Sequence, residues 1–416
     1  MRKRPSVLLN DVRGLSQLAG DATVGVTDMA EAMHSAVHET IARVPIVGSA
    51  PPFKITRGVT SLVYRGIRQG ARRLARRTDA VLAGLSTPLA DAPSSLQRDA
   101  LVAALNGVCG DHLAATGNPL ALEMSLRHGG RALDLTPAGL AAAIEQPSGK
   151  LLILAHGLCM NDRQWLRNGH DHGAELAGEH GFTPVYLRYN SGLHISTNGR
   201  LLAERLEALV AAWPTPVEEL VIIGHSMGGL VARSASQIGS AAGHAWRRHL
   251  SKLVFLASPH HGSRLERIGN KIDRAAGINP YSAAIGRLGK LRSAGITDLR
   301  YGHLHDEDWE GRDRFDHPSA TGRAAPLPDN VECYVVAVSL GRRHGDLRDQ
   351  LLGDGLVPLA SALGSHADSD HTLLFEPERQ WIGFGMGHLD VLDRPEVYQK
   401  LREWLAAEPQ SKKDAG

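Results

Sequence analysis

Hydrophobic positions repeat with two periods along the chain, and the change falls near residue 120. Over residues 11–44, Leu15, Leu18, Ala22, Val26, Met29, Met33 and Val37 recur every three or four positions. That spacing predicts a helix with one apolar stripe. Pro45, Pro51 and Pro52 end the pattern. A second helical pattern runs over about 59–85, with Leu62, Val63, Ile67 and Leu74 on one side, and a third, shorter one covers 95–109.

Beyond Asn118-Pro119 the period becomes that of strands. Residues 122–126 and 132–135 alternate around Gly129-Gly130, which predicts a β-hairpin. Apolar strand runs follow at 151–155, 183–189, 217–223, 252–256 and 333–338, with a final strand at 372–375. Helical patterns separate them at 162–180, 198–213 and 227–238, and a last helix begins near His388. Wholly apolar strands alternating with helices predict a parallel sheet covered on both faces. Ligands then belong at the carboxyl ends of the strands.

Composition narrows this picture. Hydrophobic residues are 43% and charged residues 22% of 416, enough apolar content for a large core. Lys+Arg 46 against Asp+Glu 44 leaves a net charge of +2, so no nucleic-acid partner is expected. The charge is unevenly spread. Lys54, Arg57, Arg65, Arg68, Arg72, Arg73, Arg76 and Arg77 fall in one segment without an acid. Residues 54–77 therefore read as a basic amphipathic helix suited to peripheral contact with an anionic membrane, or as a packed helix with a solvated arginine face. The three cysteines, Cys109, Cys159 and Cys333, form no CxxC pair, so buried thiols in a reducing compartment are expected. The apolar run Val7-Leu8-Leu9 is too short for a secretory signal, and no stretch reaches the length of a membrane span, so a cytoplasmic location is expected.

One strand end carries chemistry. Gly224-His225-Ser226-Met227-Gly228 is a G-x-S-x-G pentapeptide between an apolar strand and a helix. In that context Ser226 sits on a sharp strand-to-helix turn with its hydroxyl exposed, and Gly224 and Gly228 remove side chains that would collide there. The run 151–155 ends in His156-Gly157-Leu158, where the backbone N–H of Leu158 can join that of Met227 as an oxyanion hole. His156 precedes the serine in the chain and reads as a turn-bracing residue.

A serine nucleophile needs a base, and the base an orienting carboxylate, in the chain order Ser, acid, His. Among 21 histidines, His388 stands in the glycine-rich loop Gly385-Met386-Gly387 before the last helix. Asp354, flanked by Gly353 and Gly355 beyond the strand 333–338, is the first choice of acid, with Asp349 the runner-up. Ser258–Ser263 reads as a tight turn on the pocket rim, with His260 and His261 bonded to backbone. Residues 264–330 are long enough for a lid. The lid's His303, His305, Asp306, Asp308, Asp313, Asp316 and His317 match no metal-ligand spacing, so no metal or cofactor is expected.

These motifs resemble the α/β-hydrolases of the lipase/esterase group, similar to bacterial lipases and to the lipase-like domain related to GPI inositol-deacylases. The resemblance rests on His156-Gly157-Leu158, the turn Arg188-Tyr189-Asn190-Ser191-Gly192, Gly224-His225-Ser226-Met227-Gly228-Gly229, Ser258-Pro259-His260-His261-Gly262-Ser263, Asp354-Gly355-Leu356-Val357-Pro358 and His388. It implies an α/β-hydrolase fold over 118–408, with the lid at 264–330. A helical region at 1–117 precedes it, and a disordered tail at 409–416 follows. It implies hydrolysis of a small-molecule or lipid carboxylic ester through an acyl-enzyme, with Ser226 as nucleophile, His388 as base and Asp354 as orienting acid. An acyltransferase on the same three residues, or a membrane-associated scaffold with a vestigial hydrolase domain, are the alternatives.

Overall fold

The computed structural model describes residues 95–263, 293–311, 322–343 and 353–406, together with Gln17. The basic segment 54–77, Asp349, Asp313, Asp316, His317 and the tail lie outside the described residues, as do the first two helical patterns apart from Gln17. The chain divides into two compact units. One is Met1–Ser95 with Leu113–Ala121; the other is Leu96–His112 with Leu122–Gly416. In the first, the Asn118 side chain accepts from the Leu120 N–H and closes a turn.

The second unit holds the sheet. Strands β1 (Ser125–His128) and β2 (Arg131–Ala132) form the expected hairpin. Gly129 and Gly130 both have positive φ, 56° and 77°, as a tight two-residue connection requires. β3 (Lys150–Ala155), β4 (Thr183–Arg188), β5 (Glu219–His225), β6 (Leu250–Leu256), β7 (Glu332–Ser339) and β8 (Gln380–Phe384) complete eight strands in the order β2-β1-β4-β3-β5-β6-β7-β8. β1 pairs antiparallel with β4, and every pair from β4 to β8 is parallel.

Helices cover both faces, and the strands sort their side chains accordingly. On one face Leu151, Ile153, Leu220, Ile222, Leu253 and Phe255 pack against Leu202, Leu206 and Leu209 of α4 (Ile195–Ala212) and Leu230 of α5 (Met227–Ala241). On the other, Leu152, Leu154, Val221, Ile223, Val254 and Leu256 meet Leu176 of α3 (His172–His180) and Leu401 of α8 (Pro395–Ala406). Consecutive strand residues point to opposite faces, so a strand buried on both sides must be apolar throughout. The remaining helices are α1 (Leu96–Ala115), kinked at Cys109, with α2 (Pro137–Ala143), α6 (Ala294–Tyr301) and α7 (Leu359–Ala362).

A buried ion cluster joins the start of α1 to the sheet. The Asp99 carboxylate accepts from Arg188 at 3.0 Å, and Asp162 accepts from Arg188 and, at 3.0 Å, from Arg127. Each carboxylate is nearly buried and meets more than one guanidinium, so desolvation is matched by direct pairing.

Two expected elements differ. Residues 372–375 are not the last strand; β8 is, at 380–384. Leu373 and Phe375 are buried while Leu374 is 85% exposed, so the strand-like alternation comes from packing of an extended segment without ladder partners. Nor is 162–180 one helix. A 3-10 turn at Asp162–Trp165 is followed by a two-residue loop, Asn168-Gly169, in which Arg167 and His170 exchange both backbone hydrogen bonds at 2.9 Å. Asn168 and Gly169 both take positive φ, 48° and 82°, and Asp171 then caps α3. Asn-Gly is a strong hairpin signal, and it overrides the helical periodicity here.

Among the described residues no helix is long and apolar enough to cross a membrane.

Candidate active site

The site is assembled at the carboxyl edge of the sheet. Ladder pairs Ala155↔Gly224 and His225↔Leu256 bring the ends of β3, β5 and β6 level, so the segments after them open on one side. Ser226 follows β5 directly and is the N-cap of α5. Its backbone has φ 53° and ψ −121°, a strained conformation for a residue with a Cβ. The surroundings hold it there: the Ser226 N–H donates to Leu256 O at 2.8 Å, and Gly229 N–H donates to Ser226 O at 3.1 Å. A Cβ on Gly224 would lie 2.4 Å from the Cα of Gly229, and one on Gly228 would lie 2.2 Å from Ala155 O. Strand and helix approach closely enough only because both positions are glycine.

Asp354 and His388 meet across two loops. The Asp354 carboxylate accepts through Oδ2 from His388 Nδ1 at 2.7 Å, and through Oδ1 from the N–H groups of Leu356 and Val357, both at 2.8 Å. Gly353 and Gly355 flank it with φ 54° and 96°, and the turn closes through Asp354 N–H to Val357 O at 3.3 Å. His388 N–H in turn donates to Asp354 O at 3.2 Å. The carboxylate bond requires Nδ1 to carry the hydrogen, leaving Nε2 free to accept. Ser226, Asp354 and His388 are 5%, 4% and 8% exposed and line one cavity of about 430 Å³. Leu158, Leu166, Leu299, Val357, Leu389 and Leu392 make its wall largely apolar. An apolar pocket with a few convergent polar groups suits a ligand with an apolar arm and one polar centre.

Of the two oxyanion candidates, Leu158 lines the same cavity and Met227 directly follows Ser226. Met227 begins α5 and is wholly buried; Leu158 follows β3 on the loop 156–160. Gly157 brings that loop against the elbow, since a Cβ there would sit 2.9 Å from His225 Nδ1 and 3.1 Å from Ser226 Cβ.

Several supporting residues are not visible as such in the motifs. His225 donates through Nε2 to His388 O at 3.2 Å, and burial followed by the nearby His388 ring pushes its pKa well down. Asp390 accepts from Gly387 N–H at 2.7 Å and steadies the His388 loop from the other side. Tyr189 donates its hydroxyl to His156 O at 2.8 Å, and Ser191 Oγ accepts from Cys159 N–H at 3.1 Å. A tyrosine and serine in the turn after β4 mark these braces, but their partners lie over 30 residues away.

On the rim, His261 bonds to backbone as expected, through Nε2 to Gly364 O at 3.0 Å. His260 does not: its buried Nδ1 accepts from Arg233 Nη1 at 2.9 Å. In the described part of 264–330, α6 packs close to the turn after β4. A Cβ on Gly295 would lie 2.1 Å from Ser191 O, and Asp298 accepts from Ile195 N–H at 2.9 Å. Asp308 caps three backbone N–H groups, those of Leu304, His305 and Arg323. Of the acids singled out in this stretch, Asp308 thus serves its own backbone, while Asp306 pairs with Arg200 of α4. Among the described residues no group of three His, Cys, Asp or Glu could hold a metal ion.

The strand order, the two-faced helix cover and the strained serine turn after β5 are those of one fold family, and residues 146–315 match the PGAP1-like alpha/beta domain. The chain has an α/β-hydrolase fold, within which residues 146–315 are similar to that domain. No curated protein sequence matches it. Among solved structures it is similar to the Bacillus licheniformis lipase BlEst2 in mature form, with 16% identity over 63% of this chain and 95% of that one, at a TM-score of 0.39. It is similar also to phospholipase PlaB from Legionella pneumophila, at 15% identity over 64% of this chain and 61% of that one, with a TM-score of 0.39. The Pyrococcus furiosus esterase Pf2001 gives 14% identity over 62% and 83%, with a TM-score of 0.36. Likenesses this weak carry nothing about the chemistry.

Proposed function

We propose that this α/β-hydrolase domain cleaves carboxylic esters by a Ser226–His388–Asp354 triad. The observation that carries the reading is the 2.7 Å bond between Asp354 Oδ2 and His388 Nδ1 in a pocket that also holds Ser226 on its strained turn. Ser226 Oγ attacks the ester carbonyl while His388 Nε2 takes its proton. Asp354 stabilises the resulting imidazolium and keeps the ring turned. The N–H groups of Leu158 and Met227 receive the oxyanion, each contributing about 3 kcal/mol to the transition state. The imidazolium then protonates the leaving alcohol, and water, deprotonated by the same His388, releases the acid from the acyl-serine. The apolar wall around this centre favours an acyl chain over a polar one.

A chain-length series of p-nitrophenyl esters on wild type and Ser226→Ala tests the chemistry and measures the acyl pocket together. Wild type is expected to hydrolyse the esters and to react with a fluorophosphonate, and Ser226→Ala to do neither. A folded wild type inert to both would sink the proposal. Product analysis with competing alcohols separates hydrolysis from acyl transfer: free acid as the main product supports the hydrolase.

We further propose that residues 54–77, with eight basic residues and no acid, draw the enzyme to anionic bilayers. Co-sedimentation with phosphatidylserine vesicles should fall with salt and disappear when residues 1–90 are removed. Binding that survives the truncation rules it out.

A further inference from the structure

The pocket around Ser226 lies across the edge of the sheet, and residues of both cores reach its wall. Leu158 and Leu299 pack with the core that α4 and α5 cover, whereas Met160, Leu389 and Leu392 pack with the core that α3 and α8 cover. An ester also has two arms, and the chemistry proposed above sorts them. His388 Nε2 must return its proton to the leaving oxygen, so the alcohol arm lies on the side of the loop that carries His388. Leu389 and Leu392 belong to that loop. The acyl arm stays on Ser226 while the alcohol departs, and it runs the other way, toward Leu158 and Leu299.

Leu299 comes from α6, inside the stretch 264–330 whose length reads as a lid, yet it is only 3% exposed and its helix is tied to the body at three places. After β6, Ser263 N–H donates to Leu299 O at 3.1 Å. A Cβ on Gly262 would lie 2.2 Å from Arg300 O, so that loop runs directly against the end of α6. Beyond β4, Asp298 Oδ2 accepts from His194 Nδ1 and from Ile195 N–H, both at 2.9 Å, and Gly295 N–H donates to Gly192 O at 3.0 Å. From α1, Gly107 O accepts from the Ser293 hydroxyl at 2.7 Å. A buried side chain on a helix held by backbone bonds to three segments is a fixed wall, not a moving cover. Close-packed walls of this kind register single methylenes.

We propose that Leu299 sets acyl-chain specificity: its side chain, fixed by α6, bounds the acyl arm of the pocket, while Leu389 and Leu392 bound the alcohol arm. This rests on the ester-hydrolase reading of the same site. The two arms differ in polarity. Arg167 and Asp390 also line the pocket, 3.9 Å apart, and Asp390 follows Leu389 on the alcohol side. The site is therefore built for an apolar acyl chain of limited length on an alcohol that carries polar groups.

Two substrate series read the arms separately: p-nitrophenyl esters of increasing acyl length, and butanoate esters of increasing alcohol length followed by released acid. In the acyl series, Leu299→Ala is expected to raise the octanoate-to-butanoate ratio of kcat/KM about tenfold, and Leu299→Phe to lower it by a similar factor. Both should leave the alcohol series in place, and Leu392→Ala should move the alcohol series instead. An acyl series unmoved by the Leu299 variants, or moved by Leu392→Ala in their place, overturns the assignment. Should the Leu299 variants fail to fold, the wild type decides. An alkyl p-nitrophenyl phosphonate with a diazirine at the end of its chain is coupled to Ser226 and photolysed, and the cross-link is mapped by mass spectrometry. Attachment at Leu158 or Leu299 supports the proposal, and attachment at Leu389 or Leu392 overturns it. A wild type inert toward every ester overturns the ester-hydrolase reading and this assignment with it; an active wild type whose acyl preference ignores residue 299 overturns this assignment alone.

Discussion

His225 donates its Nε2 hydrogen to the backbone carbonyl of His388 at 3.2 Å, with the two rings 4.9 Å apart. The residue before Ser226 thus holds the loop that carries the proposed base, so the two sides of the proton transfer share one rigid link. His225→Leu is expected to lower kcat about 10- to 10²-fold through misplacement of His388, while His225→Gln, which can present a donor at the same reach, keeps most of it. Steady-state kinetics on a soluble ester checks this. Equal losses in both variants would show that the hydrogen bond is irrelevant.

Asp354→Asn is a sharper probe of the acid. The substituted side chain can still accept from the Leu356 and Val357 N–H groups, so the turn should survive and the urea midpoint stay near wild type. It can no longer hold His388 with its Nδ1 hydrogen inward, and kcat should fall by roughly 10⁴-fold. A variant with full activity assigns the acid elsewhere.

Two glycine-to-alanine changes should have opposite signs. At Gly228 the new Cβ would meet backbone oxygens of Ala155 and His156 at 2.2 and 2.6 Å, which no side-chain rotation relieves. Destabilisation of about 1–3 kcal/mol or more and loss of activity are expected. At Gly178, in the exposed face of α3, nothing lies within 4 Å and the backbone is helical. Gly178→Ala should add about 0.5–1 kcal/mol, read as a raised urea midpoint.

Acid should unfold the protein through its buried histidines. Burial pushes His156, His172 and His261 down to about 4, and His225 and His260 well below the ordinary 6.5. Between pH 6.5 and 4 the unfolded chain therefore binds more protons than the folded one, so stability rises with pH across that window. It is complete above about pH 7 and is lost progressively as pH falls toward 4. Thermal unfolding followed from pH 8 to 4 checks this; a melting temperature unchanged down to pH 4 would contradict it.

Much of this molecule is legible in its sequence because local rules act there. Runs such as 151–155 and 221–223 are apolar at every position, which only a strand covered on both faces requires. Gly224 and Gly228 announce the close approach around Ser226, and Gly353 and Gly355 the left-handed backbone around Asp354. The same local reasoning misled where a pattern had two causes. The alternation at 372–375 came from packing rather than pairing, and the helical period across 162–180 concealed the Asn168-Gly169 turn.

What only the tertiary structure decided is which side chains meet. Asp354 and His388 are 34 residues apart, His225 and His388 are 163 apart, and Tyr189 reaches His156 across 33. No periodicity encodes such pairs, because each depends on several strands ending at one edge. The tautomers of His225 and His388 follow the same logic. The sequence determined that imidazoles would stand near Ser226; the carbonyl or carboxylate facing each ring determined where its hydrogen sits.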